Sequence, residues 1–293
     1  MADIIVLGLL FGVINTSLLH LAKGMERYGI EIFSKKKPFK EKGRKPLIYI
    51  MGLILNYLTP IWQTFGNTFA SATVFSSVFG LGLIVLMLYS HYILKEETTN
   101  LELIGAILII IGTTAVGILY IIEPSKTGVV NYFNFFLLLI VISILFSCLV
   151  GISWKKKVAI AFIFGAVAGA LGGMDNVFKR MGLSSSNFLE TFAGVFQLEL
   201  PSILFVISFL LGLLAFLLTQ IGFGKGADAS KLVPMYNSMY IIAPILFEFI
   251  INRNATISIL IILAVAIIVI GIFLMNLFKN KAISHESDKE IMK

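Results

Sequence analysis

The sequence predicts an all-α integral membrane protein, a bundle of about nine (nine to ten) transmembrane helices arranged as an inverted repeat. Three observations lead there. Of 293 residues, 58% are hydrophobic and 13% are charged, against about 25% charged in a soluble domain. Apolar runs of roughly 17 to 25 residues, the length that crosses a bilayer core as a helix, recur nine times along the chain. The opening stretch also returns in the second half. Lipid offers backbone amides no partner, so the runs must be helical with their breaks at the membrane faces. They are too long for barrel strands and do not alternate apolar with polar.

The runs fall at 4–22, 47–65, 68–94, 101–122, 129–154, 158–174, 200–223, 232–251 and 255–278. The first reads as a retained helix, because Met1-Ala2-Asp3 lacks the basic region of a secretory signal and no small-x-small cleavage site follows. It carries Asn15, Thr16, Ser17 and His20 and gives way to a basic loop, 23–46. In the second, Asn56, Tyr57, Thr59, Trp62, Gln63 and Asn67 surround Pro60, whose missing amide frees a carbonyl four residues earlier. The third, fourth and fifth rest on length and apolarity. Cys148 in the fifth is the single cysteine, which removes a disulfide framework and a thiolate metal site.

In the sixth, Gly165, Gly169 and Gly173 stand four apart, a ridge on which another helix can approach closely. Asp175, at its outer end, is expected to cap the helix or meet headgroups. Between the sixth and seventh runs Phe188, Phe192 and Phe196 are spaced as on an amphipathic interfacial helix. The seventh run holds Thr219-Gln220 and the eighth holds Tyr236, Asn237 and Glu248. The ninth ends near Leu277, and the aperiodic, hydrophilic tail 280–293 reads as disordered and cytoplasmic.

A net charge of +7 raises nucleic acid as a partner, but the placement of the charge excludes it. With the N-terminus outside, 19 of the 23 Lys and Arg fall in cytoplasmic segments, leaving Lys126, Lys179, Arg180 and Arg253 outside. This is the positive-inside asymmetry of a multi-pass protein in the cell membrane, N-terminus out and C-terminus in. The basic loop then anchors to the anionic inner leaflet.

FGVINTSLLHLAKGMERYGI at Phe11–Ile30 is echoed by FGAVAGALGGMDNVFKRMGL at Phe164–Leu183, sharing Phe11/Phe164, Gly12/Gly165, Leu18/Leu171, Arg27/Arg180 and Gly29/Gly182. FGNTFASATVF resembles FGKGADASKLV, and the run ending at Gly112 resembles the one ending at Gly271, in the same order. Five spans separate the first helix from its echo, so the second copy enters the membrane upside down, an architecture that places a site between the repeats near the midplane. The expected units are 1–157 with five helices, 158–279 with four, and the tail.

Polar groups within spans face a bundle interior or a water-filled path. On that ground Asn15, Gln63, Asn67, Gln220, Tyr236, Asn237 and Glu248 are the candidate substrate pathway. Asn15 and Gln63 would orient a substrate, Tyr236 would stack on it, and Glu248 would carry a coupling charge. His20, His91 and His285 have no spacing that makes a metal trio, so no metal or cofactor is expected. GxSxG, HExxH and a phosphate loop ending in GK[ST] are absent from the sequence, so the reading is not an enzyme.

The stretch FASATVFSSVFGLGLIVLMLYSHYILKEETTNLELIGAILIIIGTTAVG, Phe69 to Gly117, resembles the drug/metabolite transporter superfamily (EamA-like). A small-residue segment opens one helix, Lys95-Glu96 closes it, and Gly105 and Gly112 mark the next. The second half looks like the same module, with Pro234 in the matching place. The nine spans, the basic loop and Thr219-Gln220 make the chain similar to the NIPA-type branch. Ser77 stands where that branch carries a proline, and Arg253-Asn254 stands where a Lys-Glu pair would close the eighth helix. The resemblance implies a transporter moving a small solute by alternating access, with a magnesium transporter of the NIPA type as the alternative. A non-transporting scaffold is the remaining one. The partners implied are the lipid bilayer and a small-molecule or ion substrate, and a single chain and a homodimer are both compatible.

Overall fold

A computed structural model describes residues 2–33, 43–96, 98–122, 131–156, 159–183, 188–251 and 257–277, with the backbone alone at a few helical positions, Glu248 among them. Helix and turn, with no strand, make up the described residues. The long helices are α1 (Ala2–Gly29) and α2 (Lys45–Phe69), then a broken helix formed by α3 (Ala72–Ser77) and α4 (Gly82–Tyr89). There follow α5 (Asn100–Ile122), α6 (Tyr132–Lys156), α7 (Ile160–Leu183), the short α8 (Phe188–Phe196), α9 (Leu200–Gly224), α10 (Ala229–Ile251) and α11 (Ile259–Leu277).

Each of the nine expected runs corresponds to one long helical segment among the described residues. Seven of these are long and apolar enough to cross a membrane, and Ile259–Met275 is apolar but shorter. The remaining one, α2, buries polar Thr59, Gln63 and Asn67. This is a multi-pass membrane protein, with most of α6 facing outward and Ile140, Ile144 and Leu145 exposed where lipid would lie.

α1 departs from the expectation of a loop from residue 23. It continues through Gly29 into a 3-10 turn at Ile30–Phe33, because Ala22, Lys23, Met25 and Glu26 all face the bundle and are buried. α2 runs to Phe69, and Ser71 restarts the chain by accepting the Val74 amide at 3.3 Å. A 3-10 stretch, Val78–Leu81, then interrupts the third span. Lys95 ends that span in the left-handed region with φ 54°.

Glu96 then crosses the molecule. Its carboxylate accepts the backbone amides of Ala229 at 3.0 Å and Ser230 at 2.9 Å, capping the otherwise unpaired N–H groups at the start of α10. The α5–α11 pair closes another face, where Gly105 and Gly271 each stand against the other's carbonyl. The Gly165, Gly169 and Gly173 ridge of α7 lies against α10, with the carbonyls of Leu232, Tyr236 and Tyr240 where Cβ atoms would stand. Pro244 removes the amide that would bond the Tyr240 carbonyl within α10. The C-terminal tail, Lys126 and Arg253 lie outside the described residues.

Candidate functional site

A cavity of about 330 Å³ lies between α1, α2, α7, α9 and α10. Its polar wall is Asn15 and Lys23 from α1, Asn56, Thr59 and Gln63 from α2, Asp175 and Lys179 from α7, Thr219 from α9, and Tyr236 and Tyr240 from α10. Tyr57, Phe209, Leu213 and Phe216 supply apolar wall. Pro60 sits in the middle of α2, and its missing amide leaves the Asn56 carbonyl without a helical donor. Thr59 donates to that carbonyl at 2.6 Å, and Thr64 donates to the Pro60 carbonyl at 2.8 Å.

Two charged constellations stand near the C-terminal ends of α1 and α7. In one, Asp175 and Lys179 are one helical turn apart, ion-paired and buried. Gln63 donates to Asp175 at 3.2 Å and to the Tyr240 hydroxyl at 3.1 Å, while its own oxygen accepts from Lys179 at 3.0 Å. Lys179 also faces the Phe209 ring at 4.8 Å. Behind them Asn67 donates to Asn176, Asn176 donates to the Ala72 carbonyl at 3.0 Å, and Arg180 donates to the Asn67 carbonyl at 2.6 Å.

In the other, Glu26 accepts from Asn56 at 2.9 Å and from Gln220, whose oxygen accepts from Tyr49 at 3.0 Å. Lys23 lies over the ring of Tyr236, 3.1 Å from its centroid. The two constellations are reciprocal: an amide of α2 reads the charges of α7, and an amide of α9 reads the charge of α1. In the register that pairs Arg27 with Arg180, Glu26 falls on Lys179, so equivalent positions hold opposite charges. A charge inside a membrane protein costs heavily unless it is paired and hydrogen-bonded, which accounts for the amides around Glu26, Asp175 and Lys179.

A third knot fixes the broken helix. Thr16 donates to the Phe79 carbonyl at 3.0 Å, and Asn237 reaches the same oxygen at 3.2 Å. His20 stands between them, 2.6 Å from the Thr16 carbonyl and in contact with the Asn237 amide. The 3-10 turn redirects the carbonyls that an α-helix would keep for itself, and Thr16 and Asn237 collect one of them. Phe79 stacks on Tyr240 with centroids 4.0 Å apart.

Of the residues expected on a substrate path, Asn15, Gln63 and Tyr236 line the cavity. Asn67, Gln220 and Asn237 are not on its wall. Asn67 and Asn237 are fully buried, with their amide nitrogens bonded to neighbouring helices, and Gln220 is held between Tyr49 and Glu26. The ring of Tyr236, assigned to stack on a substrate, has one face covered by Lys23. The side chain of Glu248 lies outside the described residues. Asp175, expected at headgroups, is 5% exposed and ion-paired inside the bundle.

Lys23, Glu26 and Lys179 are not among the candidates the sequence marks out: the first two fall in the segment expected as a basic loop, and the third among the charges expected outside. The signal was their spacing. Lys23 and Glu26 at i, i+3 and Asp175 and Lys179 at i, i+4 lie on one helical face each, the first continuing the face that holds Asn15 and the second the face of Gly172, beside the glycine ridge.

Residues 28–118 match the EamA-like transporter family, a segment that contains Phe69–Gly117 and bears out the resemblance read there. The chain is also similar to the probable magnesium transporter NIPA9 of Arabidopsis thaliana, 26% identical over 148 residues, 46% of this chain and 42% of that protein. The chain therefore spans less than half the length of that relative. No solved structure matches it.

Proposed function

We propose that the protein is a transporter of the cell membrane that moves a small organic solute by alternating access, with the central cavity as its carrier site. The observation that carries this is the composition of the wall. Helices of both halves contribute charged and amide groups to one internal space, and a protein that only packed against lipid would have no use for buried ionisable side chains there. The similarity to the EamA-like family supports the same reading. The reciprocal Gln63 and Gln220 contacts support an inverted duplication, 1–157 and 158–279, whose halves rock about the cavity. The excess of Lys and Arg at one face supports an N-out, C-in orientation.

Magnesium is the second reading, favoured by the name of the Arabidopsis relative. Magnesium wants several hard oxygens and retained waters. On the described wall Asp175 is the one carboxylate, already shared between Lys179 and Gln63. Among the described residues no group of three or more His, Cys, Asp or Glu converges. Two lysines on the wall would repel a divalent cation, so the organic solute is preferred.

Uptake into proteoliposomes, comparing magnesium with amino acids, organic acids and cationic dyes with and without a pH gradient, tests both. Uptake of at least one organic solute is expected. Uptake of magnesium alone reverses the preference, and uptake of nothing supports a scaffold. Glu248 is assigned the coupling charge. Gradient-driven uptake that survives Glu248→Gln removes that role.

A further inference from the structure

We propose that the cavity takes a small organic anion, a monocarboxylate with an apolar or aromatic body, and that Lys23 holds the carboxylate. This rests on reading the cavity as the carrier site. Of the four ionisable groups in the two constellations, three have their polar atoms engaged. Glu26 is bonded by Asn56 and Gln220, Asp175 by Lys179 and Gln63, and Lys179 by Asp175 and Gln63. Lys23 differs. Its side chain is 2% exposed and stands on the cavity wall, yet among the described residues its ammonium makes no hydrogen bond or ion pair.

Its contact is the face of Tyr236, which attracts a cation but accepts no directed hydrogen bond in the way an oxygen does. Glu26, three residues on, balances the charge through space, but Glu26 is wholly buried and not on the wall. The wall therefore presents a cation and keeps its counter-charge behind. A ligand oxygen at Lys23 gains a charge-assisted hydrogen bond in a water-poor site.

One free ammonium matches one negative charge, which disfavours a dianionic phosphate ester, because Lys179 is already committed to Asp175. The rest of the wall beside it, Tyr57, Phe209, Leu213 and Phe216, suits a hydrocarbon or aromatic body. The volume of about 330 Å³ falls at the small end of ligand cavities.

The test uses the full chain in lipid nanodiscs and a charge series of similar shape: phenylacetate, phenylacetamide and phenethylamine, with magnesium chloride as a fourth probe. Thermal unfolding and equilibrium binding are read for each. Phenylacetate is expected to bind at least about tenfold more tightly than the neutral amide, as one charge-assisted hydrogen bond implies. Phenethylamine and magnesium are expected to give no shift. Lys23→Gln should lose that tenfold preference and Lys23→Arg should keep most of it, with the unliganded melting temperature reporting that each variant is folded. The charge series on the unaltered protein decides the matter even where a variant does not fold.

Phenylacetate binding no better than the amide overturns the proposal. So does Lys23→Gln that folds and keeps the preference. Binding of phenylacetate through Lys23 without any proteoliposome uptake would leave the anion site standing and remove the transport reading. Uptake of an amine or of magnesium, with no binding of phenylacetate, would do the reverse.

Discussion

Asp175 and Lys179 stand one helical turn apart on α7, almost wholly inside the protein. Removing one partner of a buried pair strands the other charge, at a cost of about 3–5 kcal/mol, whereas replacing both is far milder. Asp175→Asn is therefore expected to lower the melting temperature of the purified protein sharply. Asp175→Asn combined with Lys179→Met should recover most of the loss. A double variant as unstable as the single one would mean that the pair is held for a reason other than charge compensation. Gln63 bonds both members, so its truncation should couple to theirs non-additively in the same assay.

At the scale of elements, the α7–α10 seam depends on backbone contact. Gly165, Gly169 and Gly173 on one helix meet the carbonyls of Leu232, Tyr236 and Tyr240 on the other, in a register of four residues along both. At Gly169 a Cβ would overlap the Tyr236 carbonyl, which is backbone and cannot swing away. Gly169→Val should push the helices apart and displace Tyr236 from under Lys23. The expected result is a loss of more than the roughly 1–3 kcal/mol typical of overpacking, seen as a lower melting temperature. Gly151, with nothing near its Cβ position, serves as the tolerant control. The N-terminus of α10 offers a second test. Glu96 bonds the Ala229 and Ser230 amides and lies 3.8 Å from Arg27, so Glu96→Ala should cost about 1 kcal/mol as a lost cap.

At the scale of the whole molecule, the proposal of two opposed halves makes a prediction about sidedness. Gln197 and Lys225 lie at opposite ends of α9 and are not buried. In a Cys148→Ser background, which removes the one native cysteine, Gln197→Cys should react with an impermeant thiol reagent on intact cells. Lys225→Cys should react only after permeabilisation. The opposite pattern inverts the orientation while leaving the bundle as described. On the proposed rocking of the halves, the contacts of Gln63 with Asp175 and Lys179 and of Gln220 with Glu26 would have to be remade in each cycle.

Much of the fold was legible in the sequence, because the bilayer imposes a length and a polarity on each span that composition alone reveals. Each apolar run became one helical segment, the third broken at Val78–Leu81, and the glycine ridge of α7 and the role of Pro60 in α2 were readable from spacing. The site was legible in part. Asn15, Gln63 and Tyr236 stood out because polar groups amid apolar neighbours are conspicuous. Lys23, Glu26 and Lys179 did not, because each sits at the end of an apolar run where a charge ordinarily marks the membrane face.

That the chain is a membrane bundle, where its helices run and where its polarity gathers all follow from residue order alone. Which polar residues face the cavity and which join helices is set by packing in three dimensions. That choice depends on partners more than a hundred residues away in sequence, as with Gln63 and Lys179, and no local pattern encodes the meeting of two helix faces.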